Sequence, residues 1–424
     1  MITSSPFGRG TRPLAALATG ASETRSARKN LRRRAAAASL FGALVCATGV
    51  AFAAGFVETD LVANKKPLID ANGIVHSAVN VDANLQNPWG VGESSGSPFW
   101  VSDNGAGVST LYNTAGTPQP LVVFIPGPAP ADPMGNDGTP TGLVFNIALG
   151  AGAFPISGVN SAGVPTTAPS VFLFDTEDGT ILGWNPGVAP SAAGFTGPNN
   201  VSTHAIIAVP AGGASPSGAV YKGLAMAMVG VAPNQAPLLY ATNFHAGTVE
   251  VYDASFHPAT LPSGAFVDPA LPSGYAPFNI AVLGGKAFVT YAVQDADAHD
   301  DVAGQGHGIV DTFNLDGTKP VRFAQHGQLD SPWGVAVAPA SFGAFAGDIL
   351  IGNFGNGHIN VFDPKTGEFL DKLRNSHGQA IVIDGLWTLK VGNGGNGGDS
   401  DKVYFTAGPN DESDGLFGSL APSP

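Results

Sequence analysis

One cysteine in 424 residues removes several kinds of chemistry at once. Cys46 lies in an N-terminal stretch expected to be cut away, so the remaining chain forms no disulfide and offers no thiolate as nucleophile or metal ligand. Charge is also scarce, at 12 % of residues, and positive charge most of all, with 19 Lys+Arg against 32 Asp+Glu. Eight of those basic residues and one acid lie before residue 55. Eleven basic groups therefore face thirty-one acidic ones in the rest, a net charge of −20. Such a chain repels phosphate backbones and anionic lipid headgroups and attracts cations, so nucleic acid is excluded as a partner. Helical periodicity is missing beyond residue 54, and so are HExxH, Walker and CxxCH signatures. Gly92-Glu93-Ser94-Ser95-Gly96 matches G-x-S-x-G, but a nucleophile elbow needs a strand-to-helix turn and this one falls between two strands. Gly392, Gly394 and Gly397 match G-x-G-x-x-G inside a low-complexity run with no helix behind it. No catalytic residue is assignable from these patterns.

What the chain does have is glycine (58), proline (34) and a 44 % hydrophobic content. Many turns joining short strands around a sizeable core follow from that balance. The N-terminus is different. Arg9 to Arg34 is basic, and "AAAASLFGALVCATGVAFAA" (35–54) is uncharged and ends in small residues. This predicts a signal peptide over 1–53, cleaved after Ala53, and a periplasmic or extracellular product without stable membrane insertion. The competing reading is an N-terminal anchor.

Self-comparison shows six copies of one unit. "NPWGVGESSGSPFWVSDNGAGVSTLYNTAG" and "SPWGVAVAPASFGAFAGDILIGNFGNGHINVFDPKTG" align by eye. Further copies start at Pro140, Tyr221, Tyr275 and Ile383. Each reads as short apolar strands separated by turn residues. Each of the first five closes its third strand on an aromatic-Asx pair: Tyr112-Asn113, Trp184-Asn185, Tyr252-Asp253, Phe313-Asn314 and Phe362-Asp363. The ring is expected to pack between sheets and the Asx oxygen to accept a bond from the next turn. A four-stranded repeat of this length predicts an all-β, six-bladed β-propeller. The blades are expected over 87–127, 139–210, 219–268, 275–327, 331–375 and 381–420. The last blade is one strand short, and the strand-like "FVETDLVANKK" (56–66) is expected to complete it, leaving no raw edge. Gly150 to Ser170 is expected to be a long solvated loop inside the second blade.

Two places offer chemistry. The stretch "QDADAHDDVAGQGHG" joins the second and third strands of the fourth blade. Its Asp295, Asp297, His299, Asp300 and Asp301 form a candidate metal site for Ca²⁺ or another divalent cation, though the spacing is not that of an EF-hand. Polar residues after the second strands of other blades, Asp103, Asn104, Asn243, His245 and Asn353 with Glu177-Asp178, are candidates for a ligand-binding rim. The plainer readings are preferred: ordinary turn chemistry for the rim set, and a solvated acidic loop capped by its own backbone N–H groups for the other. Trp89, Trp333 and Trp387 recur at one position of the innermost strands and are expected to be packing wedges.

The segments "NPWGV", "FWVSDNG", "TEDGTILGWNP", "GAVYKGLA", "YAPFNI", "VTYAVQDADAHDDVAG", "SPWGVAVAP", "IGNFGNGHINVFDP", "IDGLW" and "YFTAGPNDESDGLFG" together resemble a family of exported bacterial proteins with an NHL-like six-bladed propeller. That resemblance implies fold and export but no catalytic residue. The chain is less closely similar to the gluconolactonase-type propellers. These hold a divalent cation in the central channel through an acidic residue of an inner strand, together with Asn and Asp. The inner strands here show Trp89, Leu143, Leu224, Asn279, Trp333 and Trp387 instead, so the acidic ligand is missing. The function expected is binding of a small molecule or protein by a monomeric propeller. The alternative is a metal-dependent hydrolase of the lactonase type.

Overall fold

The computed structural model describes residues 55–128, 132–212 and 218–424. The predicted leader at 1–53, with Cys46 and the cleavage point, lies outside them. Six antiparallel sheets account for most of the described chain. Their innermost strands are Pro88–Gly92, Pro140–Phe145, Tyr221–Val229, Tyr275–Leu283, Pro332–Val337 and Leu386–Val391. Each inner strand packs against the next, and the sixth packs against the first. The sheets therefore close into the six-bladed β-propeller that the repeat predicts. Among the described residues the helices are short 3-10 turns, and no helix is long and apolar enough to cross a membrane.

Ring closure uses both ends of the chain. Phe56–Ala63 pairs antiparallel with Leu416–Pro422, from Phe56 opposite Pro422 to Ala63 opposite Leu416, and supplies the sixth blade's outer strand. Asn80–Val81 adds a short parallel fifth strand, which the repeat does not foretell. The core follows this plan. Six apolar clusters fill the six spaces between neighbouring blades, and a seventh, rich in aromatics, lies on the axis. No blade buries its faces alone, which is why the sheets are stable only as a ring.

The motif Pro-Trp-Gly-Val serves that axis. A Cβ on Gly90 would come within 2.5 Å of the Thr141 carbonyl oxygen, and one on Gly334 within 2.6 Å of the Trp387 carbonyl oxygen. Only glycine lets adjacent inner strands converge so closely. The Asx half of the aromatic-Asx pair caps the following turn. Asn113 Oδ1 accepts from the amides of Ala115 and Thr117 at 3.0 and 2.9 Å. Asp253 Oδ1 accepts from Ser255 and His257 at 2.8 and 3.0 Å.

Two local expectations are corrected. Residues 150–170 are not a plain loop: Pro155–Val159 and Pro165–Pro169 form a hairpin of their own. Asn160 Oδ1 accepts from the amides of Ala162 and Val164, both at 3.0 Å, and this side-chain turn joins the two strands. The third blade has three strands rather than four. Its outer segment contains Pro258, Pro262, Pro269 and Pro272, which have no amide hydrogen to give to a ladder.

Candidate functional site at the channel mouth

Strand direction decides which groups meet on the axis. In every blade the start of the inner strand pairs with the end of the second strand, as Pro88 with Asp103 and Tyr221 with Asn243. The loops after the second strands therefore ring the end of the channel where the inner strands begin. Aromatic side chains plug the channel just below. The Trp89 and Trp387 rings stack with centroids 3.4 Å apart, Trp333 meets both edge-on, and Phe354 stacks on Trp387 at 4.0 Å. All three indoles are buried. They are wedges, not exposed platforms.

Above this floor lies a polar network drawn from five blades. Lys222, second residue of its inner strand, is only 2 % exposed. Its ammonium donates to Glu177 and, at 3.1 Å, to Asp300 Oδ1. It lies 5.2 Å from the centre of the Trp89 ring. Burial pulls the Lys222 pKa down, but the two carboxylates outweigh it and the net direction is upward. This lysine is a fixed cation, unsuited to act as a neutral nucleophile. Glu177 also accepts from Asn104 Nδ2 at 2.8 Å. Asn87 donates to Glu412 Oε2 at 2.6 Å and accepts from the Trp387 indole N–H at 3.0 Å. Burial raises the Glu412 pKa to about 7, although the bond from Asn87 opposes it.

Backbone strain is concentrated here. Asn410, Asp411 and Glu412 have successive φ values of 60, 51 and 63°, and Asn87 has 45°. Left-handed backbone at consecutive non-glycine residues is costly, and such strain clusters where a side chain must be aimed. Here it turns Glu412 toward Asn87.

The sequence candidates are distributed unevenly around this mouth. Asn104 joins the network through Glu177, and Asp300 joins through Lys222. His299 Nδ1 stands 2.9 Å from Asp300 Oδ1. Asp295 caps its own turn by accepting the His299 amide at 2.9 Å. Asp297 is exposed and Asp301 half-buried. Among the described residues, groups of three donors able to share a metal are Glu177 with His299 and Asp300, and Glu58 with Asp60 and His76. Asp295, Asp297 and Asp301 belong to neither, so the acidic loop does not gather its five candidates around one point. Asp103 accepts the Thr110 amide inside its own blade at 2.9 Å. Asn243 accepts the Ala246 amide at 3.0 Å and donates to Glu250. Asn353 donates to the Gln328 carbonyl at 2.7 Å. His245 is exposed. Lys222, Asn87 and Glu412 were not among the sequence candidates. A lysine inside the apolar "YKGLAMAMVG" is the one visible signal, because a charge on an inner strand needs partners.

The channel's other end is different in kind. Beneath the plug a cavity of about 640 Å³ is lined by the far halves of the inner strands, including Val91, Leu143, Leu224, Ile280, Val335 and Leu389. Its charged groups are Glu93 and Lys390, 3.8 Å apart. The convergent titratable groups lie at the opposite mouth, and we place the site there for that reason.

A closed ring of six sheets with a plugged axis and a polar mouth defines the class as a six-bladed propeller. The chain belongs to the same family as uncharacterized protein L690 of Acanthamoeba polyphaga mimivirus, with 30 % identity over 351 residues, 81 % of this chain and 82 % of the viral one. Uncharacterized protein R648 of the same virus is 29 % identical over 350 residues, covering 81 % and 77 %. No family model matches the sequence. Solved structures with a distant likeness include virginiamycin B lyase from Staphylococcus aureus, at 9 % identity, TM-score 0.44 and 87 % and 100 % coverage. The PQQ-bound aldose sugar dehydrogenase from Streptomyces coelicolor has 12 % identity, TM-score 0.44 and 87 % and 99 % coverage.

Proposed function

We propose that this protein is an exported, monomeric binding propeller that takes a small polar molecule, neutral or cationic, at the channel mouth. The observation that carries this reading is the network of Asn87, Asn104, Glu177, Lys222, Asp300 and Glu412, brought from five blades onto a floor closed by tryptophan. Convergent polar groups over an apolar base are the usual make-up of a small-ligand site. The mouth has three carboxyl groups and one ammonium, which disfavours anions and suits hydroxyls and amines. Asp300 and His299, with side chains 65 % and 47 % exposed, are the groups an incoming molecule meets first.

A metal-dependent hydrolase is the second reading, favoured by the Glu177, His299 and Asp300 donor atoms lying within 4.8 Å of one another. Lys222 already gives both carboxylates of that group a cation, so a divalent ion there has to displace the ammonium. Isothermal titration of the purified chain with neutral sugars, amines and organic acids tests the first reading. A neutral or amine ligand should bind at one site and weaken at least tenfold in Asn104→Ala and Glu412→Gln. Binding of acids alone, or binding that both variants leave unchanged, refutes it.

A further inference from the structure

The second donor group shares no residue with the mouth network and lies on the seam that closes the ring. Glu58 and Asp60 are two residues apart in the closing strand, so they project from the same face. His76 ends the small hairpin formed by Leu68–Ile69 and Val75–His76. Its Nδ1 stands 3.3 Å from Asp60 Oδ1 and 3.9 Å from Glu58 Oε1. A tetrahedral ion with bonds of about 2.0–2.1 Å holds its ligand atoms about 3.3 Å apart, so these donors already stand near the spacing a zinc-like ion requires. The other Asp60 oxygen accepts the Ser77 amide at 3.0 Å, which fixes the carboxylate.

The other side of the imidazole supplies a second, independent observation. Asp70 is 4 % exposed. Its Oδ1 accepts the Ile74 amide at 2.7 Å, but its buried Oδ2 has no hydrogen-bond partner, and neither does His76 Nε2. The two atoms face each other at 3.6 Å, within ion-pair range but too far apart for a hydrogen bond. A metal on Nδ1 places the imidazole proton on Nε2, where Asp70 is waiting to accept it. That is the carboxylate–histidine–metal arrangement found behind many metal-bound imidazoles.

From this geometry we infer that Glu58, Asp60 and His76 bind one zinc-like divalent ion, with Asp70 orienting His76, and that the ion fastens the closing strand to the hairpin. One imidazole with only two carboxylates suits such an ion better than Ca²⁺, which prefers a shell of six to eight oxygens. The inference is independent of the mouth and of the ligand proposed there. An ion that binds only the closed seam stabilises the whole ring by mass action.

The test is titration of the chelator-treated full chain with Zn²⁺, Ca²⁺ and Co²⁺, followed by calorimetry, melting and visible absorption. One equivalent of Zn²⁺ should bind and raise Tm, Ca²⁺ should not replace it, and Co²⁺ should develop tetrahedral d–d bands. His76→Ala should abolish that equivalent, and Asp70→Asn, which keeps the shape, should weaken it about 10- to 100-fold. His299→Ala at the mouth should leave it intact. If wild type binds no Zn²⁺, or if a bound equivalent survives His76→Ala, the inference is overturned. Should His76→Ala fail to fold, Asp70→Asn and the Co²⁺ spectrum decide instead: unchanged affinity together with an octahedral spectrum refutes the site.

Discussion

At the scale of single residues, burial sets the charge states. Glu93 and Glu412 both have pKa values raised to about 7, chiefly because burial penalises the carboxylate. The folded chain then keeps protons that the unfolded chain has already lost. The stabilisation from these groups is full below about pH 4.5 and disappears as pH rises through 7. Tm should therefore decline between pH 5 and 8, and the decline should become shallower in Glu93→Gln and Glu412→Gln when melting is followed across that range. Lys222 obeys a different rule. Removing one member of a buried ion pair leaves the partner stranded, so Lys222→Met should cost about 3 kcal/mol. That is the low end of the usual range, because Asp300, 65 % exposed, rehydrates far more readily than Glu177, 13 % exposed. Urea midpoints would show it, and Glu177→Gln in the same background should recover part of the loss.

At the scale of elements, the seam is the sensitive place. Phe56 is buried and its ring lies 4.9 Å from that of Phe342. Phe56→Ala should cost about 3 kcal/mol by loss of burial and creation of a cavity, measurable in urea. Much of this level was legible in the sequence. Repeated Pro-Trp-Gly-Val, the aromatic-Asx pairs and the unpaired stretch at 56–66 specify blade count and closure, because period and turn chemistry are local properties. The hairpin at 155–169 and the missing strand of the third blade were not read from it, although Asn160 and the four prolines held the reasons. The mouth was harder still. Asn104 and Asp300 stand in visibly polar loops, but turn chemistry accounts for such residues equally well until coordinates show their partners. Glu412, Asn87 and His76 depend on contacts across some 300 residues or on a short hairpin outside the repeat, and no local pattern marks those.

For the molecule as a whole, the tryptophan plug separates two unlike ends, one polar and charged, the other an apolar cavity. Trp387 touches Trp89, Trp333, Phe278 and Phe354 and also holds Asn87 in place. Trp387→Ala should cost about 3–5 kcal/mol and abolish ligand binding at the mouth, as read by urea denaturation and by titration on the surviving folded protein. The pairing of Phe56–Ala63 with Leu416–Pro422 bears on biosynthesis. Its two strands are the first and last in sequence among the described residues, and bringing such remote segments together is slow. A ribosome must deliver the codons for Leu416–Pro422 before the circle can shut. Until then every nascent or truncated copy carries an open flank, a reason for quality-control proteases to recognise incomplete chains and spare finished ones.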